Sequence, residues 1–177
     1  MSASPSSFAQ IAAACEAEGL TLQSGEKIAS ALAAEFKVGP DEVGILRLEA
    51  DSLVFVYPAK LHDVGRIPLN NSSSVAVRTL NTRRPEIMNN FTKTKHTTFF
   101  ETVDISGKPA GPKMGREHQT IQKLMSAPVI VAGKVVGVIQ ISRKGATLIG
   151  AGPDFVAADL QKLVGLASVL AKCFRPR

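Results

Sequence analysis

The chain of 177 residues is 45% apolar, 5% aromatic and 20% charged, with a formal net charge of +6. No apolar run approaches the roughly 18 residues that a membrane span requires, and the N-terminal stretch lacks the basic start of a secretory signal and soon turns acidic. We therefore expect one soluble, cytoplasmic domain over residues 1–177, long enough to bury its own core.

The first forty residues predict two helices. Apolar side chains recur at helical spacing over residues 6–18 until Gly19, and again up to Phe36 in a second helix for which Ser24 is a suitable N-cap residue. The pattern then changes to runs rich in β-branched and aromatic residues at 43–49 and 53–58, which predict an antiparallel hairpin. A sheet region begins here, and we place it over residues 41–152.

The middle of the chain is less regular. The stretch RIPL predicts a short edge strand, because Pro68 cannot donate a hydrogen bond to a neighbouring strand. Asn71 or Ser72 can cap a helix over residues 73–81, and RRPEIMNN after it is typical of extended chain. Residues 91–120 show no assignable pattern, and their Gly- and Pro-rich part predicts a surface loop.

Two long strands and a helix complete the predicted architecture. SAPVIVAGKVVGVIQISRKG predicts a buried hairpin with strands near 123–132 and 135–143 and a turn at Gly133-Lys134. Residues 153–174 predict the closing helix, whose apolar stripe is broader than one sheet contact requires, so part of it can pack on a partner helix. The order of elements fits an α+β fold, an α/β/α sandwich with helices on both faces of a central antiparallel sheet.

From Val43 to Phe174 the ordered set of elements resembles a GAF domain. The resemblance is carried by the opening hairpin, GRIPLNNSSSVAVRTLNTRRPEIMNN, APVIVAGKVVGVIQISRKG and PDFVAADLQKLVGLASVLAKCF. It implies about six antiparallel strands, the first and last helices on one face, a small-molecule pocket on the other, and dimers through the terminal helices. GAF domains bind cyclic nucleotides, tetrapyrroles, haem, amino acids or other metabolites, or no known ligand, so the fold leaves the ligand and any cofactor unidentified.

Cyclic-nucleotide-binding members of the family match this chain only in part. Of their dispersed Asn-Lys, Phe and Asp-Glu residues, the chain keeps Lys144, Phe155 and Asp159, whereas Arg143 and Leu160 replace the other two. Lys144 and Asp159 could then form a structural ion pair across the loop, worth little if it is exposed. The replacements weaken the case for cyclic-nucleotide binding.

The cysteines and histidines of the sequence do not indicate a catalytic site. Cys15 and Cys173 lie in the predicted terminal helices, away from the expected pocket, whereas methionine sulfoxide reductases and bilin-attaching members of this fold need a thiol in the pocket. We interpret them as buried apolar residues in a reducing compartment rather than as a disulfide. His96 or His118 could ligate a haem iron, but a loop histidine is more often solvated, and we predict neither a metal site nor a catalytic group.

A ligand pocket in this fold would be mostly apolar, with a few polar groups that orient the ligand. The amides at the start of the helix over 73–81 could receive an anion, and a buried Gln140 amide needs a partner, most simply a backbone group. Each candidate has an ordinary structural alternative as core, cap or turn. The candidate ligand-binding residues are Tyr57, Ser73, Ser74, Asn89, Asn90, His96, Phe99, Phe100 and Met125.

These observations favour a regulatory module over an enzyme. Residues 1–77 carry five Lys/Arg against nine Asp/Glu, and residues 78–177 carry sixteen against six. The positive residues are nonetheless dispersed among few aromatics, which does not favour nucleic acid as a partner. Our leading hypothesis is a stand-alone sensor of a small metabolite that acts on a partner protein through a homodimer of terminal helices. The alternative is a dimerisation scaffold that binds no ligand.

Overall fold

The computed structural model describes residues 5–63, 65–91 and 120–175, in which four helices and six strands are found. Within these ranges, no helix is both long and apolar enough to cross a bilayer. The helices are α1 (Pro5–Glu18), α2 (Leu22–Phe36), α3 (Val75–Thr82) and α4 (Ala157–Leu170). The strands are β1 (Val43–Glu49), β2 (Ser52–Tyr57), β3 (Arg66–Pro68), β4 (Glu86–Met88), β5 (Ile121–Val131) and β6 (Lys134–Lys144).

The six strands form one sheet in the order β3-β2-β1-β6-β5-β4, and every neighbouring pair is antiparallel. The long β5–β6 hairpin holds the centre, with Ser126 directly opposite Gln140. The predicted α+β fold with a central antiparallel sheet is therefore confirmed.

Side chains along the strands alternate between two buried cores. One core lies under α1, α2 and α4 and includes Met125 and Ile139. The other lies under α3 and includes Leu124 and Val138. We call these sides of the sheet the terminal-helix face and the α3 face, and the first and last helices share one face as the resemblance implied.

Two helix caps differ from the predicted ones. Thr21, not Ser24, caps α2, and the two residues exchange hydrogen bonds: Thr21 Oγ1 accepts from the Ser24 amide at 3.1 Å, and Ser24 Oγ from the Thr21 amide at 2.7 Å. Ser74, rather than Asn71 or Ser72, caps α3 through the Val77 amide at 3.3 Å. Several neighbouring side chains can act as caps in each stretch, and only the extended backbone at the true cap selects one.

The last helix and the long hairpin turn also differ slightly from expectation. α4 begins at Ala157, not at residue 153, because the Asp159 carboxylate accepts from the Val156 amide at 2.8 Å and fixes the first turn there. The β5–β6 turn lies at Ala132-Gly133, where both residues have positive φ, 51° and 78°. Such a two-residue turn matches the twist of the paired strands.

Candidate functional site

A line of buried polar side chains crosses the α3 face where the sheet meets α3. Gln140 Nε2 donates to Ser126 Oγ at 3.3 Å, Ser126 and Thr79 hydroxyls lie 2.7 Å apart, and Thr79 Oγ1 donates to the Val75 carbonyl at 2.9 Å. Each hydroxyl has one proton, so Ser126 donates to Thr79. The hydrogen bonds therefore all point from the sheet into α3. We call Gln140, Ser126 and Thr79 the polar line.

The polar line is enclosed by hydrocarbon. Gln140 is 1% exposed, and Ser126 and Thr79 are fully buried. The apolar side chains of the same core include Leu46, Phe55, Val75, Val77, Phe91, Leu124 and Val138. A polar group in such surroundings destabilises the fold unless its hydrogen bonds are made, so the state of each polar atom here matters.

Gln140 is the member of the polar line that can form further hydrogen bonds. Its amide nitrogen uses one proton on Ser126, and among the described residues no hydrogen bond reaches its amide oxygen. A second donor proton and an acceptor oxygen therefore lie side by side on one nearly buried amide. Such a pair complements a molecule that presents an acceptor next to a donor, as an amide or lactam does.

An unsatisfied buried amide oxygen lies where β4 ends. Asn90 Oδ1 is buried, and no described residue donates a hydrogen bond to it. The next residue, Phe91, belongs to the core of the α3 face. Asn90 is thus a residue on our candidate list that retains an open acceptor near that face.

Charged groups at the same end of the sheet are engaged in local structure. Lys144 Nζ lies 3.8 Å from Asp41 Oδ2, and the Lys144 amide donates to Glu42 Oε2 at 2.6 Å. The proposed Lys144–Asp159 pair does not form, because Asp159 caps α4 on the other face of the sheet. The remaining match to the cyclic-nucleotide pattern therefore has separate structural roles.

Two candidate residues lie on the terminal-helix face. Met125 is fully buried in the core under the helices, and Tyr57 packs against that same core. The Tyr57 hydroxyl donates to the Pro40 carbonyl at 2.9 Å. Burial, followed by the charges of Asp41 and Glu26, raises the Tyr57 pKa. Neither side chain meets the polar line. Strand alternation carries Met125 to the opposite face, and the register shift between Ile45 and Leu46, which pair with Tyr57 and Phe55, carries Tyr57 there.

Three further candidates are occupied by local hydrogen bonds. Ser73 is exposed, and its hydroxyl donates to Asn71 Oδ1 at 2.7 Å, while Ser74 caps α3. Asn89 joins β4 to the segment before α4: its amide nitrogen donates to the Phe155 carbonyl at 2.9 Å, and its amide oxygen accepts from the Phe155 amide at 2.8 Å. The remaining candidates, His96, Phe99 and Phe100, lie outside the described residues, as does His118.

Both thiols lie on the terminal-helix face, as the sequence predicts. Cys15 and Cys173 are each 2% exposed and belong to the core under the helices. Burial, followed by the hydrogen bond with the Cys15 thiol, raises the pKa of Cys173 far above its ordinary value. Across the described ranges, no three His, Cys, Asp or Glu side chains are placed to hold a metal ion.

Ser126 and Thr79 were not among the residues predicted from the sequence. Gln140 was expected to bond to the backbone, whereas its observed partner is the Ser126 hydroxyl. Strand pairing in the predicted hairpin could have indicated this partner. Ser126 lies opposite Gln140, so the two side chains share a face of the sheet. Thr79 carried no such signal, because helix packing alone brings it to Ser126.

Solved structures share this architecture at low sequence identity. The GAF domain from Acinetobacter phosphoenolpyruvate-protein phosphotransferase has a TM-score of 0.64 at 16% identity, over 94% of this chain and 89% of that one. The A. aeolicus nlh2 GAF domain in an inactive state has a TM-score of 0.59 at 16% identity, over 94% and 93%. The free methionine-R-sulfoxide reductase from Neisseria meningitidis in complex with its substrate has a TM-score of 0.59 at 17% identity, over 94% and 85%.

Sequence comparisons add no closer relative. No protein-family model matches the chain, and no curated protein matches it either. The likeness to solved structures, at 16–17% identity, is a likeness of fold.

Proposed function

We propose that this chain, which has the GAF-domain fold, is a non-catalytic regulatory module that binds a small molecule on the α3 face of its sheet. The ligand carries an acceptor and a donor side by side, as amides and lactams do, and an apolar body. Binding changes the packing of the terminal helices in a homodimer, and a partner protein responds to that change. The single observation that carries the proposal is the amide of Gln140, nearly buried with an open acceptor and a spare donor proton.

The amide of Gln140 favours a polar ligand over an apolar one of the same size. A polar atom that is buried without a partner typically costs about 1–3 kcal/mol, and an apolar ligand would impose this cost on the amide oxygen and the spare proton. A ligand that bonds to both avoids the cost and therefore binds more tightly. Asn90 Oδ1 supplies a second open acceptor on the candidate list.

Other proteins with this fold are enzymes, such as the free methionine-R-sulfoxide reductase from Neisseria meningitidis. Reduction of a sulfoxide requires a thiolate near the substrate. In this chain both thiols lie on the terminal-helix face, and burial raises the pKa of Cys173. This separation supports a binding role for the α3 face.

The terminal helices offer a surface for the response. Val164 and Val169 on α4 are 41% and 39% exposed, whereas Leu163, Ala167 and Leu170 of the same helix are buried. The apolar stripe of α4 is therefore wider than its contact with the sheet, as the sequence predicts. A second copy of the chain is our proposed occupant of this surface, since both α4 helices would bury the same valines.

A thermal-shift screen tests ligand binding. The probes are small amides and lactams, with amines and carboxylic acids of similar size as a comparison set. A ligand at one hundred times its Kd stabilises the native state by about 2.7 kcal/mol, which raises the Tm by roughly 5–10 °C in a chain of this size. We expect amides and lactams to give the stabilising hits.

Matched variants identify the site. Gln140→Leu removes the open amide and should abolish the shift given by a hit, whereas Gln23→Leu makes the same change on the exposed surface of α2 and should leave it intact. The binding proposal is wrong if no probe raises the Tm, or if a hit stabilises the Gln140→Leu protein as much as the unchanged one.

The exposed valines of α4 also favour the alternative function, a scaffold that dimerises without any ligand. Sedimentation of the ligand-free protein separates the two functions. A scaffold remains the same dimer with or without a hit, whereas a sensor changes its sedimentation or its dimer affinity. Val164→Lys should weaken either dimer, and Ile130→Lys, at a residue that is also 41% exposed but lies on the β5–β6 hairpin, serves as the control.

A further inference from the structure

Folding brings the chain's two cysteines together from its opposite ends. The sequence contains two Cys, at positions 15 and 173. Cys15 lies in α1, and Cys173 lies in the 3₁₀ turn Ala171–Phe174 that follows α4 and packs against α1. Both side chains are 2% exposed and belong to one core. Apolar packing alone requires no such pairing of thiols.

Cys173 forms part of the wall of a cavity. Cys173 lines a cavity of about 590 Å³ together with the end of α1, β1 and the β5–β6 hairpin. Exposed side chains, Lys134 and Arg175, contribute to the same lining, so the cavity reaches the protein surface. Cys15 borders a smaller cavity of about 240 Å³ between α1 and α2. A small reagent that enters the larger cavity therefore reaches the wall to which Cys173 contributes.

The surroundings of the two thiols affect how fast they exchange with a disulfide. The Cys15 thiol donates to the Gly19 carbonyl at 3.5 Å. Burial, and then the neighbouring Cys15 thiol, raise the pKa of Cys173, which favours its neutral thiol. Thiol exchange requires the thiolate, so exchange is slow near neutrality and becomes faster as the pH rises.

We propose that Cys15 and Cys173 are a reversible oxidation site, at which a small-molecule disulfide entering the larger cavity converts the two thiols into an intramolecular disulfide. The Cys173 thiolate attacks the reagent disulfide, which forms a mixed disulfide and releases one reagent thiol. The Cys15 thiolate then attacks the Cys173 sulfur, which closes the protein disulfide and releases the second reagent thiol. The protein loses two electrons and two protons, and the reagent disulfide gains them.

The bond joins the first helix to the last turn of the described fold. It removes conformational freedom from almost the entire unfolded chain, so the oxidised form is the more stable one. The terminal helices cannot separate in that form. The inference depends on the position of the thiols and not on ligand binding to the α3 face.

Oxidation of the native protein by 2-hydroxyethyl disulfide at pH 8.5 tests the site. We expect a mass loss of about 2 Da from two departing hydrogens, and a non-reducing digest that contains one peptide pair joined through Cys15 and Cys173. The Tm should rise by roughly 5–15 °C and return on reduction. The same reaction at pH 6.5 should be slower.

Single variants provide the controls. Cys15→Ala and Cys173→Ala each retain one buried thiol and should show neither the joined peptides nor the rise in Tm. Three results would overturn the inference: a stable reagent adduct on one cysteine without ring closure, a disulfide between two chains, or no reaction of the native protein under conditions where the guanidinium-unfolded chain reacts fully.

Discussion

The two faces of the sheet differ in the elements that cover them and in the polar groups buried against them. The terminal-helix face is covered by three helices, and its hydrophobic core includes the two thiols. The α3 face is covered by one short helix among its described elements, and its apolar core surrounds the polar line of Gln140, Ser126 and Thr79. An apolar core needs only volume and shape, whereas buried polar groups need specific partners. We therefore expect substitutions on the terminal-helix face to have the larger effect on stability, and we propose the α3 face for ligand recognition.

The largest effect should come from the terminal-helix face. Ile139 is fully buried there, next in sequence to Gln140 on the opposite face. Ile139→Ala should lower the free energy of unfolding by about 2–5 kcal/mol, because it removes buried methyl groups and leaves a cavity. Urea denaturation measures the change, and Ile139→Val should lose only about 0.5–1.5 kcal/mol. A loss below about 1 kcal/mol for alanine would contradict the assignment of stability to this face.

On the α3 face, Ser126→Ala should destabilise by about 1–3 kcal/mol, because Gln140 Nε2 loses its acceptor while it remains buried. The double variant Ser126→Ala/Gln140→Leu should recover part of this loss, because both polar partners become apolar. A double-mutant cycle in urea gives the coupling. Strict additivity of the two changes would show that the polar line does not act as a unit.

The same substitution, glycine to alanine, should have opposite effects on stability at two positions. One lies on the exposed side of the terminal helices and the other on the side packed against the sheet. Gly165 lies on the exposed side of α4, and a methyl group there meets nothing within 4 Å, so Gly165→Ala should stabilise the monomer by about 0.5–1 kcal/mol. At Gly137 the added atom would lie 2.5 Å from the Leu46 carbonyl oxygen and 2.6 Å from the Phe174 ring. Gly137→Ala should therefore destabilise. Thermal melts at low protein concentration compare the signs, and equal signs would contradict the packing described here.

The smallest effect should come from Glu49, which belongs to neither core. Its hydrogen bond with Arg47 holds its pKa below the ordinary 4.5, against the opposing effect of burial, and Arg66 adds a smaller lowering. Glu49 side-chain exposure is 31%, so the pair contributes less than about 1 kcal/mol. A lowered folded pKa means that this contribution is present above pH 4.5 and is lost as the pH falls through the folded pKa.

Glu49→Gln measures that contribution. The difference in unfolding free energy between Glu49→Gln and the unchanged protein should be present at pH 7 and shrink towards zero as the pH falls below 4. Asp51→Asn changes an exposed carboxylate near the same hairpin and provides the comparison. A difference between Glu49→Gln and the unchanged protein that grows on acidification would contradict the sign.

The elements themselves followed from local patterns. Ile28, Leu32 and Phe36 recur every four residues and lie buried along α2, because helical periodicity places them on one side. The two predicted hairpins are also present, and their ends shift by at most two residues. Caps were less predictable, since Thr21 and Ser24 are both suitable and the backbone selects between them.

The candidate site was less accessible to sequence reasoning. Asn90 retains an open acceptor, but Tyr57 and Met125 lie on the face opposite the polar line. Ser73, Ser74 and Asn89 are engaged in local hydrogen bonds. For each of these residues the sequence was compatible with either ligand binding or an ordinary structural role. Only the positions of the residue's hydrogen-bond and packing partners distinguish the two roles.

By itself, the sequence determined where helices and strands form, because spacing and turn residues act within a few positions of one another. It also determined that β5 is covered on both sides, since its apolar run shows no alternation. For the same reason it could not determine which side of β5 faces which helices. Only tertiary packing placed Met125 under the terminal helices and Ser126 beside Thr79, because that choice depends on contacts between residues distant in the chain.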